Sequence, residues 1–259
     1  MNETPFDWAQ SPAAVWRRHR SGLRAIRRLD PISWDDLTGI ARQKQALARN
    51  TERFLAGEPS NNALLWGSRG TGKSSLIKAL LNRYRDQGLR MIEVDKDDLV
   101  NLPEIVDDIC DLPYRFVIFC DDLSFDVGES GYKALKSVLE GSLELPPENV
   151  RVYATSNRRH LMPEFMSDNV KSEVRDGELH PAEAIEEQVS LADRFGLQLS
   201  FYPFSQDIYL QAVDALFPQV ADREQLHIEA VRFATGKGVR NGRTAQQFFR
   251  QFAGDPRFT

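Results

Sequence analysis

Gly67, Gly72, Lys73 and Ser74 carry the first recognisable chemistry in the chain, within the stretch "GSRGTGKS". The spacing fits G-x-x-x-x-G-K-S/T, a loop built to hold phosphate. Its glycines let the backbone curl so that successive N–H groups face one anion, and a helix opening behind the turn adds its positive end. On this reading Gly67, Ser68, Arg69, Gly70, Thr71 and Gly72 wrap a polyphosphate together with Lys73, Ser74 and Ser75 at the helix start. Lys73 reaches the β and γ phosphates, and the Ser74 hydroxyl ligates Mg²⁺.

A second stretch, "FVIFCDDLSF", supplies a buried strand that ends in Asp121 and Asp122. Asp121 is expected to hold Mg²⁺ through water, and Asp122 to polarise an attacking water. An acidic pair after a strand is common surface chemistry, but at this distance from a phosphate loop it points to hydrolysis of a nucleoside triphosphate. The chain has no N-K-x-D guanine-reading motif, so the expected cofactors are ATP and Mg²⁺.

These residues need a scaffold, and the hydrophobic pattern supplies one. "NALLW", "RMIEV", "FVIFC", "VRVYATS" and "LQLSF" read as strands, and "IARQKQALARNTERFL", "KSSLIKALLNRYRDQG", "DLVNLPEIVDDIC" and "GYKALKSVLEG" as helical stretches. Strands alternating with helices predict an α/β fold, a parallel sheet covered on both faces. After Pro203 the strand signals stop, and "QDIYLQAVDALF", "REQLHIEAVRFAT" and "TAQQFFRQF" all have helical period. The expected organisation is a basic helical lead-in over 1–35, a nucleotide-binding α/β domain over 36–202 with a charged insert at about 160–190, and a helical lid over 203–259.

Composition excludes little. With 33 Lys and Arg against 38 Asp and Glu in 259 residues, the balance is mildly acidic and gives no global argument for a nucleic-acid partner. Cys110 and Cys120 have no metal-ligand spacing and read as free thiols of a reducing compartment; His19, His160, His180 and His227 are equally scattered. No window is apolar for long enough to span a bilayer, and a cytoplasmic location is expected.

With both stretches in hand, the chain resembles the AAA+ P-loop ATPases. "YATSNRRH" looks like that family's sensor-1 strand, which makes Asn157 the residue that orients the lytic water. "SLADRFG" resembles the segment carrying the arginine finger, so Arg194 is expected to reach a neighbouring subunit's site. "GVRNGRTAQQF" resembles the start of the helix carrying sensor 2, with Arg243 in the best register and Arg240 as the fallback. "DDLTGIARQKQAL" looks like the stretch that packs on adenine, around Leu37 to Ile40. From about Trp34 to Phe252 the chain is similar to small stand-alone bacterial AAA+ proteins known as a domain of unknown function. The resemblance implies a homo-oligomer, a ring or an arc, with Arg194 acting in trans. Where many AAA+ members carry Glu, this chain has Asp122, one methylene shorter.

Nothing here names a client, protein or nucleic acid. The stretch from Trp16 to Leu29 carries Arg17, Arg18, Arg20, Arg24, Arg27 and Arg28 between apolar residues, and reads as a basic amphipathic helix. Such a helix could lie along phosphates, on a membrane surface or on an acidic partner, or dock its apolar side on the ATPase body. Phe125, in "SFDVG", is either a substrate-contacting loop residue or a packed phenylalanine. Arg194 has its own bland alternative, a surface pair with Glu186 or Glu187. The main reading is therefore an ATP hydrolase that remodels a client. A nucleotide-gated recruitment module with negligible turnover, and a nucleic-acid remodelling or loading factor, remain as alternatives.

Overall fold

Short runs rich in branched and aromatic residues become the strands of one sheet in the computed structural model, which describes residues 6–18, 22–125, 130–141, 145–158, 161 and 191–258. The strands are β1 (Ala13–Arg17), β2 (Gly22–Ala25), β3 (Ala63–Gly67), β4 (Leu89–Glu93), β5 (Arg115–Cys120), β6 (Val150–Ser156) and β7 (Leu197–Phe201). They lie in the order β2-β1-β4-β5-β6-β3-β7, and every neighbouring pair is parallel except β1 with β2. The helices are α1 (Ala41–Leu55), α2 (Lys73–Tyr84), α3 (Leu102–Asp107), α4 (Ser130–Glu140), α5 (Gln206–Leu216), α6 (Arg223–Lys237) and α7 (Gly242–Phe252).

Successive strand residues point to opposite faces, and both faces are buried, which is why the strand sequences read as continuous apolar runs. Leu64, Ile118, Val152 and Ala154 join one core with Leu102 and Ile105 of α3 and Leu135 of α4. Their neighbours Leu65, Val117, Phe119 and Tyr153 join the other with Phe54 of α1 and Leu76 and Leu80 of α2. A third core, built on Tyr209, Val213, Leu226, Ala230 and Phe248, belongs to α5, α6 and α7, with Phe217 and Phe258 from the segments that follow α5 and α7.

The parallel arrangement also fixes where the chemistry emerges. Because β5, β6 and β3 are adjacent and run the same way, Asp121, Asn157 and the loop after Gly67 leave the sheet side by side at its carboxyl end.

The basic lead-in is not a helix. β1 and β2 pair antiparallel, Trp16 opposite Leu23, and β1 extends the sheet by pairing with β4. The strand pairing divides the apolar residues that a helix would have gathered: Trp16 and Leu23, opposite each other in the ladder, pack into one core, and Ile26 and Leu29, beyond β2, against the other. Arg17, Arg18, Arg24, Arg27 and Arg28 are exposed, and Arg20 lies outside the described residues. A phosphate-tracking helix therefore loses its physical basis.

Phe125 is likewise a packed residue, 1% exposed with its ring edge-on to Tyr132. The charged insert, apart from Leu161, and Glu186 and Glu187 lie outside the described residues. Cys110 and Cys120 are both free, and burial pushes the Cys120 thiol up to about 12. No helix among the described residues is long and apolar enough to cross a membrane.

Candidate nucleotide-binding site

The turn between β3 and α2 needs glycine at three points. Gly67, Gly70 and Gly72 have φ of 129°, 76° and 98°, in the region that side chains disfavour. At Gly67 a Cβ would also lie 2.0 Å from the Phe201 carbonyl of β7, whose oxygen accepts the Ser68 N–H at 3.0 Å. The loop is thus held from beneath by its neighbouring strand.

Lys73, at the start of α2, is buried. Its ammonium donates to the carbonyls of Gly67 (2.7 Å) and Ser68 (2.8 Å) and to Asn157 Oδ1 (3.3 Å). Burial lowers its pKa, opposed in part by the nearby charges of Asp122 and Asp121. The Ser74 hydroxyl donates to Asp121 Oδ1 at 2.6 Å, and Thr155 of β6 donates to the same oxygen. The Thr155 hydroxyl also accepts the Asp122 N–H at 2.9 Å, so one threonine holds the Asp121 carboxylate and the Asp122 backbone. Asp122 has φ 51°, a conformation that short polar side chains tolerate. Its carboxylate accepts from Asn157 Nδ2 and lies 4.0 Å from the Arg69 guanidinium.

These groups open on a cleft of about 1250 Å³ between the sheet's carboxyl end and the helices α5 and α7. Arg69, Gly70, Thr71, Gly72, Lys73, Ser74 and Ser75 line it, with Asp121, Asp122 and Asn157. Gly67 and Ser68 are not on its wall and act from behind, through Lys73. Ile32, Leu37, Thr38 and Ile40 also line the cleft, with Ala212, Leu216 and Phe249 of the helical unit, and Ile40 reaches the loop itself, where a Cβ on Gly72 would lie 3.6 Å from the Ile40 Cδ1. A lining that mixes polar and apolar residues in this way fits the phosphates and the base of a nucleotide.

Arg243 lines the cleft and Arg240 does not. Arg194 also lies outside it. Its guanidinium pairs with Glu140 at the end of α4, a partner that sequence reasoning did not find.

Two working residues are missed by the sequence reading. Thr155 sits inside an apolar strand, where a hydroxyl gives no signal of its own. Asn241 could have been found as an N-cap, because a short polar residue directly before a helical pattern is a start signal. Its side chain accepts the Thr244 N–H at 2.8 Å and donates to the Arg69 carbonyl at 2.9 Å.

The family model described as "Protein of unknown function (DUF815)" matches residues 9–256, nearly the whole chain. The chain belongs to the DUF815 family. No curated protein matches it. Among solved structures, the Aeropyrum pernix Orc1 protein in complex with DNA is similar at 17% identity and a TM-score of 0.55, over 85% of this chain and 60% of that one. Two point mutants of Thermotoga maritima RuvB each give 14% identity and a TM-score of 0.50 over 88% of this chain, and 74% and 75% of theirs. At such identities the likeness is one of fold, and this DUF815 member has the fold of AAA+ P-loop ATPases with a helical C-terminal part.

Proposed function

We propose that the chain binds ATP with Mg²⁺ in the cleft and hydrolyses it as a homo-oligomer, using the cycle to remodel a client in the reducing cytoplasm. The observation that carries this reading is the convergence of Lys73, Ser74, Asp121 and Asn157 on the cleft, from three separate segments, with Ser74 and Asp121 2.6 Å apart. Hydroxyl and carboxylate oxygens at that spacing suit a hard divalent cation, and the loop behind them suits a polyphosphate.

Bound ATP and Mg²⁺ supply the phosphoryl group and the neutralisation of its charge. The chain does the rest. Lys73 presents an ammonium to the phosphates, freed from the carbonyls of Gly67 and Ser68 that hold it otherwise. Ser74 and Asp121 hold the metal, with Thr155 fixing the carboxylate. Asp122 and Asn157 face the site together and orient the attacking water, and Arg243 adds a positive charge from α7. Arg194 is assigned to a neighbouring subunit's site, where an added cation raises the rate by on the order of 10³ to 10⁵ in comparable phosphoryl transfers. Its position outside its own cleft is compatible with a role in trans, for which the pair with Glu140 has to open.

The test is ATPase activity of wild type, Lys73→Ala, Arg194→Ala and an equimolar mixture of the two variants. Each variant alone is expected to be inactive and the mixture to recover activity, since one subunit's Arg194 then completes another's intact loop. A mixture as dead as its components removes the trans assignment.

One observation favours a second reading. The Asp122 carboxylate is already engaged by Asn157 and Arg69, and a carboxylate so held is a poor activator of water. A nucleotide-gated recruitment module would bind ATP tightly and show no turnover at any protein concentration.

A further inference from the structure

An asparagine that caps a helix uses only its carbonyl oxygen for the cap, so its amide nitrogen is free for another task. In Asn241 the oxygen accepts both the N–H and the hydroxyl of Thr244, at 2.8 and 3.0 Å, and so opens α7. The amide nitrogen donates across 172 residues of chain to the Arg69 carbonyl of the glycine loop at 2.9 Å. Beside it, the Arg243 N–H, one of the donors that a helix start leaves unpaired, donates to the Gly70 carbonyl at 3.3 Å. Two consecutive loop carbonyls are thus held by the first residues of α7.

The contact is built for closeness. Asn241 is 5% exposed, and a Cβ on Gly70 would lie 2.6 Å from its amide nitrogen. A planar trans peptide sets its N–H opposite to its C=O. Turning the carbonyls of Arg69 and Gly70 toward α7 therefore turns the N–H groups of Gly70 and Thr71 away from it, as donors for an anion held by the loop.

We propose that Asn241 is a positioning residue that holds the glycine loop in its anion-accepting shape and ties that shape to the seating of the helical unit. This rests on the reading of the cleft as the ATP site. Whatever displaces α7 releases the loop, and phosphate held by the loop in turn favours the seated position of α7.

Asn241→Ser and Asn241→Asp separate the two tasks, because both side chains cap helices about as well as asparagine and neither offers the amide donor. Hydrogen exchange in the protein without nucleotide is read first: peptides covering 67–72 are expected to exchange about tenfold faster in both variants, with α7 as protected as in wild type. ATP binding is read second, and is expected to weaken about tenfold, with KM rising and kcat within about twofold. Unchanged exchange over 67–72 overturns the proposal. Faster exchange with unchanged ATP affinity overturns the coupling to nucleotide. If wild type itself binds no ATP, the functional reading fails, and the exchange measurement still decides whether Asn241 holds the loop.

Discussion

Lys73 carries the clearest consequence at the scale of a single residue. Its pKa is lowered from the ordinary lysine value of 10.5, mainly by burial. Between that lowered value and 10.5 the unfolded chain binds more protons at this position than the folded one, so the nucleotide-free protein gains stability as pH rises through that window. ATP binding needs the charged form and must respond in the opposite sense. Affinity for ATP with Mg²⁺ is expected to fall as pH rises toward 10.5, because the lowered pKa of Lys73 discharges the ammonium earlier than in an ordinary lysine. Titration calorimetry from pH 7 to 10 measures it, and a rise over that range would contradict the assignment of Lys73 to the phosphates. Lys73, Ser74 and Asp121 could be picked out from local pattern, and Asn157 from the family resemblance of its strand, because each stands at the end of a strand or the start of a helix. Thr155 and Asn241 could not be given their roles that way, since the partner of each becomes its neighbour only when the strands are in order.

At the scale of the element, the antiparallel pair of β1 and β2 shows where sequence pattern falls short. Arginines spaced along Trp16 to Leu29 imitate a basic helix, and nothing local to those residues announces β4 as a partner. The pairing of Ala13 with Met91 is made across more than seventy residues, and burial on both faces of the sheet overrides the helical spacing. The later strands and helices were legible because their apolar runs agree with their final surroundings. Trp16 is 3% exposed in the core shared by β4, β5 and β6. Trp16→Ala is accordingly expected to destabilise the whole α/β unit by about 3–5 kcal/mol, whereas Arg24→Ala, on the exposed edge, stays within about 0.5 kcal/mol. Urea unfolding followed by circular dichroism distinguishes the two. A loss below about 1 kcal/mol for Trp16→Ala would mean that the pair of β1 and β2 is not part of the cooperative unit.

Among the described residues, the unit built on the sheet and the unit of three helices both contribute walls to the cleft. If Arg194 serves a neighbour, a solitary chain has an incomplete site. Turnover per subunit is then expected to rise with protein concentration and to level off as assembly saturates, while Arg194→Ala binds ATP yet stays inactive throughout. Steady-state ATPase rates over a hundredfold range of concentration test this, and a rate per subunit independent of concentration would count against it. Strand order has a further effect on the life of the chain. β3 is made early, but its two neighbours in the sheet are β6 and β7, and Phe201 braces the loop from β7 while Asn241 holds it from α7. A ribosome that has just released Ser75 has produced every residue of the loop and none of its supports. At ordinary synthesis rates roughly 10–30 s pass before Asn241 follows. During that interval the nascent chain carries the whole glycine loop without the strand and the helix that hold its shape, so the cleft is among the last parts of the protein to come into being.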